Sequence, residues 1–289
     1  GSITNRLKSK LVQAGGTYSK NYKGFEIYGQ AAINISGDYE ANFLKTGVSY
    51  LVNNKHKIAA EITSHSVSPN FNFLLNQSDY VNYNWQNEFD NTNKQQLKLR
   101  FESNKIAAIS LDYTGIDKYT YFTIKDNDST PTPHQYNDRV DYLKIKLKKE
   151  FKYRKFGLEN TLLYQNLLSG DEVLKLPSFI TRNTLYFEDQ WFKKALFIQT
   201  GIIFKYYSKY TMNAYDPVLA EFYVQDKEEF GGYPQFDIFF NARVQQVRIF
   251  FKYENLNALF TDSNNYFSAP GYPFRDSVIR FGIVWNFLM

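Results

Sequence analysis

The chain has 289 residues, no cysteine, a formal charge of +5 and an aromatic content of 18%, with 24 Tyr and 26 Phe against 2 Met. Without cysteine there is no disulfide framework, thiolate nucleophile or thiolate metal site, and no apolar run reaches the roughly 18 residues that a membrane-spanning helix needs. Its Lys and Arg residues are scattered along the chain, not gathered in one run or on one helix face, which argues against a nucleic-acid partner.

Taken in chain order, the sequence is dominated by a period of two. The N-terminal "GSITNRLKSK" has no apolar stretch of the signal-peptide kind, so any export signal is expected to be gone. From there Phe25, Ile27, Ala31, Ile33 and Ile35 alternate with Glu26, Tyr28, Gln30 and Asn34. Leu97, Leu99 and Phe101 alternate with Lys98, Arg100 and Glu102. In "DYLKIKLKKEFKYRK", Leu143, Ile145, Leu147, Phe151 and Tyr153 oppose Lys144, Lys146, Lys148, Glu150 and Lys152. A helix would smear such sets around its circumference, whereas a strand keeps them on two faces. The same rule places Phe236, Ile238, Phe240, Ala242 and Val244 opposite Asp237, Asn241, Arg243 and Gln245, then Ile249, Phe251 and Tyr253 opposite Arg248, Lys252 and Glu254. The alternation is weakest over 158–167 and 178–190, where both faces carry large residues. Strands are expected at 9–19, 24–36, 40–52, 55–66, 92–103, 105–116, 139–154, 156–168, 178–190, 194–208, 234–245, 247–259 and 276–288.

The connections between these strands alternate strictly. Short ones such as "NNKHK", "YRKFG" and "QQV" take turns with long ones such as "VSPNFNFLLNQSDYVNYNWQNEFDN" and "KYTMNAYDPVLAEFYVQDKEEFGGYP"; only "SGDYE" is a short member of the long set. An outer-membrane barrel distributes its loops this way, with tight periplasmic turns and long outer loops. A soluble sandwich would also alternate polar and apolar positions, but its strands are shorter and its loop lengths need not alternate by side. The expected fold is therefore all-β, an antiparallel up-and-down transmembrane β-barrel with about 13–14 strands visible. With "QQV" periplasmic, the last strand descends to a periplasmic C-terminus and the first visible strand also descends. An even-stranded barrel then needs an ascending strand before residue 9, so residues 1–289 are expected to form one barrel region, the C-terminal part of a longer barrel.

Four stretches carry a resemblance: "SPNFNFLLNQSDYVNYNWQN" at 68–87, "LPSFITRNTLYF" at 176–187, "YDPVLAEFYVQ" at 215–225 and "SAPGYPFRDSVIRFGIVWNFLM" at 268–289. Through them the chain resembles the Bacteroidota "putative porin" family of outer-membrane proteins, a likeness spanning nearly the whole chain. It implies a barrel in a Gram-negative outer membrane with a pore-like role, members longer than this chain, and no catalytic or ligand residues.

The inward charges are the candidate functional residues. Lys45, Lys98, Arg100, Lys144, Lys146, Lys148, Lys152, Lys205, Arg243, Arg248, Lys252 and Arg280 are expected to face the lumen against Glu26, Glu61, Glu102, Asp112, Glu150, Asp237 and Glu254. Basic residues exceed acidic ones, and rings of Lys and Arg at a constriction favour anions. The plainer account is that a polar lumen needs charges to stay wet and to pair across strands. Tyr18, Phe25, Tyr153, Phe156, Trp191, Phe192, Tyr206, Trp285 and Phe287 sit at strand ends, where interfacial girdles lie.

His56, His65 and His134 are too scattered for a metal site. A hydrolase pairing of His65 with Asp79 or Asp90, or of His134 with Asp138, has no spacing in its favour, and no Gly-rich phosphate loop appears. The expected function is a passive channel for small solutes, not an enzyme, without cofactor. The alternatives are a barrel scaffold in a larger secretion or lipoprotein assembly, or the C-terminal barrel part of a TonB-dependent importer. Expected partners are outer-membrane lipid, the barrel-assembly machinery through the C-terminal strand, and an outer-membrane protein or lipoprotein. In that strand Ile279, Phe281, Ile283, Trp285 and Phe287 face lipid. Phe287 resembles the assembly signal, with the departure that Leu288 and Met289 follow it. The aromatic-rich loop at 70–87 is expected either to narrow the lumen or to dock a partner.

Overall fold

The computed structural model describes all residues except 1, 2, 5, 54, 126, 127, 261–266, 288 and 289. Thirteen long strands form one sheet: β1 (Leu11–Tyr22), β2 (Phe25–Gly37), β3 (Asn42–Val52), β4 (His56–Val67), β5 (Thr92–Ser103), β6 (Ala108–Asp117), β7 (Arg139–Tyr153), β8 (Phe156–Ser169), β9 (Phe179–Trp191), β10 (Leu196–Tyr207), β11 (Gln235–Val244), β12 (Val247–Glu254) and β13 (Val278–Trp285). Each strand neighbours the strands before and after it in sequence, an antiparallel meander without crossovers. All thirteen expected strands are present.

Boundaries move where side chains intervene. The first hairpin closes on Lys23 and Gly24 alone, both at positive φ (45° and 84°), the two-residue geometry that suits strand twist. β6 starts at Ala108 and not at 105, because Ser103 Oγ accepts the N–H groups of Lys105 and Ile106 at 3.2 and 3.1 Å and bends the chain. β12 stops at Glu254 and not at 259: Asn255 is left-handed (φ 55°), its N–H donates to the Asp237 carboxylate at 3.0 Å, and Leu256–Leu259 form a 3-10 turn. β13 ends at Trp285, and the expected limit at 288 lies outside the described residues.

The chain divides into two compact units. One comprises Gly1–Ile145, Gln165–Leu176 and Thr211–Glu229; the other comprises Lys146–Tyr164, Pro177–Tyr210 and Phe230–Met289. In the first unit one face of the sheet exposes Ile27, Leu44, Ile58, Ile62, Leu97 and Leu99. The opposite face carries Tyr28, Glu61, Lys98 and Asp112, which the strand registers align in one row through Gly47. In the second unit Leu185, Ile202, Ile238, Phe240, Ile249 and Ile283 are exposed on one face, and Arg182, Lys205, Asp237, Lys252 and Arg280 lie on the other by alternation. Rows of exposed aliphatic residues are unfavourable against water and suited to hydrocarbon. The polar face is therefore the inner one.

The long connections of the first unit are folded. Thr120–Thr123, Thr132–Gln135, Ala214–Asp216 and Glu221–Val224 form a four-stranded sheet in which Glu221–Val224 runs parallel to Thr120–Thr123. Phe122 is 2% exposed, stacks on Phe73 with centroids 4.6 Å apart and meets Trp85 at 6.1 Å. Trp85 Nε1 donates to the Asn72 carbonyl at 2.9 Å, Tyr83 OH donates to Asp216 at 2.8 Å, and Asn72 bonds Glu221. Phe73, Tyr83 and Trp85 of the 70–87 loop are thus spent on contacts with two other loops, while Phe71, Tyr80 and Val81 stay exposed. Beside them Ile116, Val140 and Tyr142, from the inner face of β6 and β7, pack with Val173, Leu174, Tyr119, Tyr121 and Tyr136 from the connections.

Candidate functional site: the charged inner face and the loop core

Inner-face charges form networks within each unit. In the first, Glu61 is nearly buried and faces Lys45 Nζ at 3.1 Å and Arg100 at 3.8 Å, while Tyr28 OH donates to it at 2.6 Å. Lys57 pairs with Glu26 at 3.4 Å, and Lys144 with Asp112 at 3.4 Å. In the second, Asp237 is 1% exposed and sits between Lys205 at 2.6 Å and Lys252 at 3.0 Å. The chain of charge continues from Lys252 to Glu254 at 2.7 Å and on to Arg280 at 3.0 Å. Lys152 lies 3.5 Å from Glu150 and 3.2 Å from Glu188. Pairing of this kind keeps desolvated charges tolerable.

Of the expected lumen residues, Arg100, Lys144, Lys252, Glu254 and Arg280 therefore sit in ion pairs. Lys98, Lys146, Lys148, Arg243 and Arg248 have no carboxylate within ion-pair distance among the described residues. Lys98 nevertheless lies in register between Glu61 and Asp112. Arg243 and Arg248 stand directly opposite each other on β11 and β12, and Arg243 lies over the Phe197 ring at 5.4 Å. The "Lys144, Lys146, Lys148" ladder is thus one paired lysine followed by two that lack a carboxylate partner among the described residues.

Sequence reasoning missed the inner-face Glu159, Arg182 and Glu188, which line a recess of about 590 Å³ with Lys152 and Tyr186. It also missed a device used in both units. Tyr28 on β2 lies across Gly47 on β3 to reach Glu61 on β4. Tyr186 on β9 lies across Gly157 on β8 to reach Glu150 on β7. A Cβ at either glycine would overlap the tyrosine ring. A glycine on an otherwise charged face was the available signal.

Among the girdle residues, Tyr153, Trp191, Trp285 and Phe287 are exposed, and Trp285 stacks on Phe287 at 4.7 Å. Trp191 Nε1 donates to Asp189 at 2.9 Å. Tyr206, at the opposite end of its strand, is half-buried. His56 opens β4 with Nδ1 2.8 Å from Ser103 Oγ, while His134 Nε2 lies 3.0 Å from Thr132 Oγ1 in the loop sheet. No group of acidic or His side chains able to hold a metal occurs among the described residues. In the loops, burial and the Asp216 bond push the Tyr83 hydroxyl up to about 12. The bond to Glu172 takes Tyr136 to about 12 as well. Burial, with Lys125 nearby, holds the His134 imidazole below its ordinary value.

Two faces of opposite chemistry on long antiparallel strands, with folded loops at one end, are the arrangement of a membrane barrel wall. A family model described as "Putative porin" matches residues 1–288. The chain belongs to that family. No curated protein matches its sequence. Among solved structures it is similar to the FrpB iron transporter from Neisseria meningitidis, with a TM-score of 0.63 at 12% identity over 95% of this chain and 46% of that one. It is also similar to a mutant ferric enterobactin receptor from Pseudomonas aeruginosa in complex with enterobactin, with a TM-score of 0.64 at 11% identity over 95% of this chain and 45% of that one. At such identity the likeness concerns fold, and the chain spans about half the length of these barrels. The porin-family chain is thus an outer-membrane β-barrel protein of the Gram-negative type.

Proposed function

We propose that this porin-family chain forms the wall of a channel through which small hydrophilic solutes diffuse passively. The observation that carries the reading is the inner face of each unit, lined by charged and amide side chains while the opposite face is aliphatic and aromatic. A wet, charge-lined wall lowers the barrier to polar solutes and asks for no cofactor and no chemistry. The paired charges keep the lumen hydrated and the strands in register. Selectivity falls to the unpaired Lys146, Lys148, Arg243 and Arg248, which favour anions.

The loop core narrows the outer mouth in this reading. Its packing against Ile116 and Val140 also favours a second reading, a plugged barrel serving as scaffold in a larger assembly. The names of the similar structures suggest a third, an importer of iron chelates. Liposomes carrying the purified protein separate the first from the others: sugar and small-anion efflux supports the channel, and tight vesicles with co-purifying proteins favour the scaffold. Reversing Lys144, Lys146 and Lys148 to Glu should move the reversal potential towards cations in planar bilayers; an unchanged potential excludes these lysines as the filter.

Among the described residues β1 and β13 each pair with one strand, and a strand edge in hydrocarbon must find a partner, which supports further barrel strands completing the wall. The exposed Phe287, two residues past the end of β13, supports recognition by the barrel-assembly machinery.

A further inference from the structure

On the outward face of the first unit the apolar band stops early on three adjacent strands. β4 presents Ile58, Ala60 and Ile62 outward and then Ser64 and Ser66; β5 presents Phe101, Leu99 and Leu97 and then Gln95 and Asn93; β6 presents Ile109, Leu111 and Tyr113 and then Gly115 and Asp117. The registers align these changes, Ser64 with Gln95 and Gly115, and Ser66 with Asn93 and Asp117. On β2, by contrast, outward positions remain apolar through Ile33 and Ile35, both 61% exposed. A spanning strand of about ten residues offers about five outward positions. The polar residues therefore take the outer part of the sector, where contact with acyl chains would be unfavourable.

The sector is built, not merely polar. Ser64, Ser66, Asn93, Gln95 and Asp117 line one side of a concavity of about 490 Å³, whose other side is Ala31, Ile33, Asn42 and Leu44 of β2 and β3. Arg139 is bonded to two of the lining residues, donating to Asp117 at 3.0 Å and to Gln95 at 3.2 Å, and it also donates to Asp141 at 3.0 Å. Tyr113 donates to Asp141 at 2.8 Å. Gly115 lies beneath the guanidinium, and any Cβ there would overlap it. Two carboxylates already neutralise Arg139, so the cluster is net acidic and offers little to a bare phosphate. Hydroxyl, amide and carboxylate groups around a shallow hollow suit the hydroxyls of a sugar. The strand ends that carry them lead into the long connections, which faces them to the outer leaflet.

We propose that this groove seats the sugar head group of an outer-leaflet glycolipid. The proposal does not depend on the channel reading. It is tested on protein extracted from outer membranes in mild detergent, by native mass spectrometry of bound lipid, with folding followed by heat-modifiable mobility. The wild type should retain glycolipid. Loss of two or three hydrogen bonds in the Ser64→Leu/Asn93→Leu/Gln95→Leu protein should cut retention by about tenfold or more, with phospholipid retention equal in both. Gln95→Leu alone, a milder change on an outward face, should show a smaller loss and carries the test if the triple variant does not fold. Equal glycolipid retention by wild type and folded variants overturns the proposal. So does a variant that loses a co-purifying protein while keeping its glycolipid.

Discussion

Asp237 is the residue on which most of the second unit's inner-face charge converges. Its buried carboxylate faces two lysines and accepts the Asn255 N–H that ends β12. Asp237→Ala removes the anion from between Lys205 and Lys252 and leaves two like charges facing each other. Removing one partner of a buried pair costs about 3–5 kcal/mol, and the partial solvation of Lys205 places the expected loss near the lower end. Urea unfolding in vesicles checks it, as a loss of that size in the unfolding free energy at an unchanged m-value, with Asp237→Asn intermediate because its amide oxygen still accepts from Asn255. His134 carries a pH dependence of opposite origin. Burial and Lys125 lower its pKa, so the folded loop sheet binds fewer protons than the unfolded loop. The stability of that sheet is full above the unfolded value of about 6.5 and falls as pH drops through the folded pKa. Amides of Thr120–Thr123 and Thr132–Gln135 should therefore lose hydrogen-exchange protection, corrected for intrinsic exchange, between pH 7.5 and pH 5. His134→Gln should remove the difference.

At the scale of elements, Tyr28–Gly47–Glu61 and Tyr186–Gly157–Glu150 each tie three strands by one side chain lying flat across a glycine. Gly47→Ala or Gly157→Ala lifts the ring off its neighbour and should cost about 1–3 kcal/mol, the usual penalty for overpacking. Tyr28→Phe with Gly47 intact, which keeps the ring and loses only the hydroxyl, should cost less; thermal loss of heat-modifiable mobility ranks the variants. These ties left no mark in the sequence beyond a glycine on a charged face, although the thirteen strands were plain, and the difference is physical. A strand announces itself locally, because lipid on one side and water on the other impose two chemistries with a period of two. Where the inner face also holds bulk, as with Tyr186 and Ile203 against Phe239, the two chemistries blur, and Glu159, Arg182 and Glu188 went unread. The loop core has no local mark that pairs its segments. Tyr83 and Asp216 lie 133 residues apart, and nothing in either segment names the other. Composition showed that the 70–87 loop was too apolar for solvent, but not that its partners were two further loops.

For the whole molecule the open quantity is how far the loop core limits what passes. Phe122 is its centre, packed on Phe73 and Trp85 and joined through its strand to Glu221–Val224. Phe122→Ala empties that position and should weaken the core by about 3–5 kcal/mol. The sheet itself is untouched, because Phe122 belongs to none of the thirteen strands. The variant should therefore insert and resist heat as the wild type does while the loop amides lose exchange protection. If the loops narrow a passive channel, its single-channel conductance rises and larger sugars leave the liposomes. A wild-type protein that is tight, with a variant that leaks, identifies the loop core as the plug of a closed barrel. Equal flux through both, with the loops shown to be loosened, places the limit deeper, among the charges around Glu61 and Asp237.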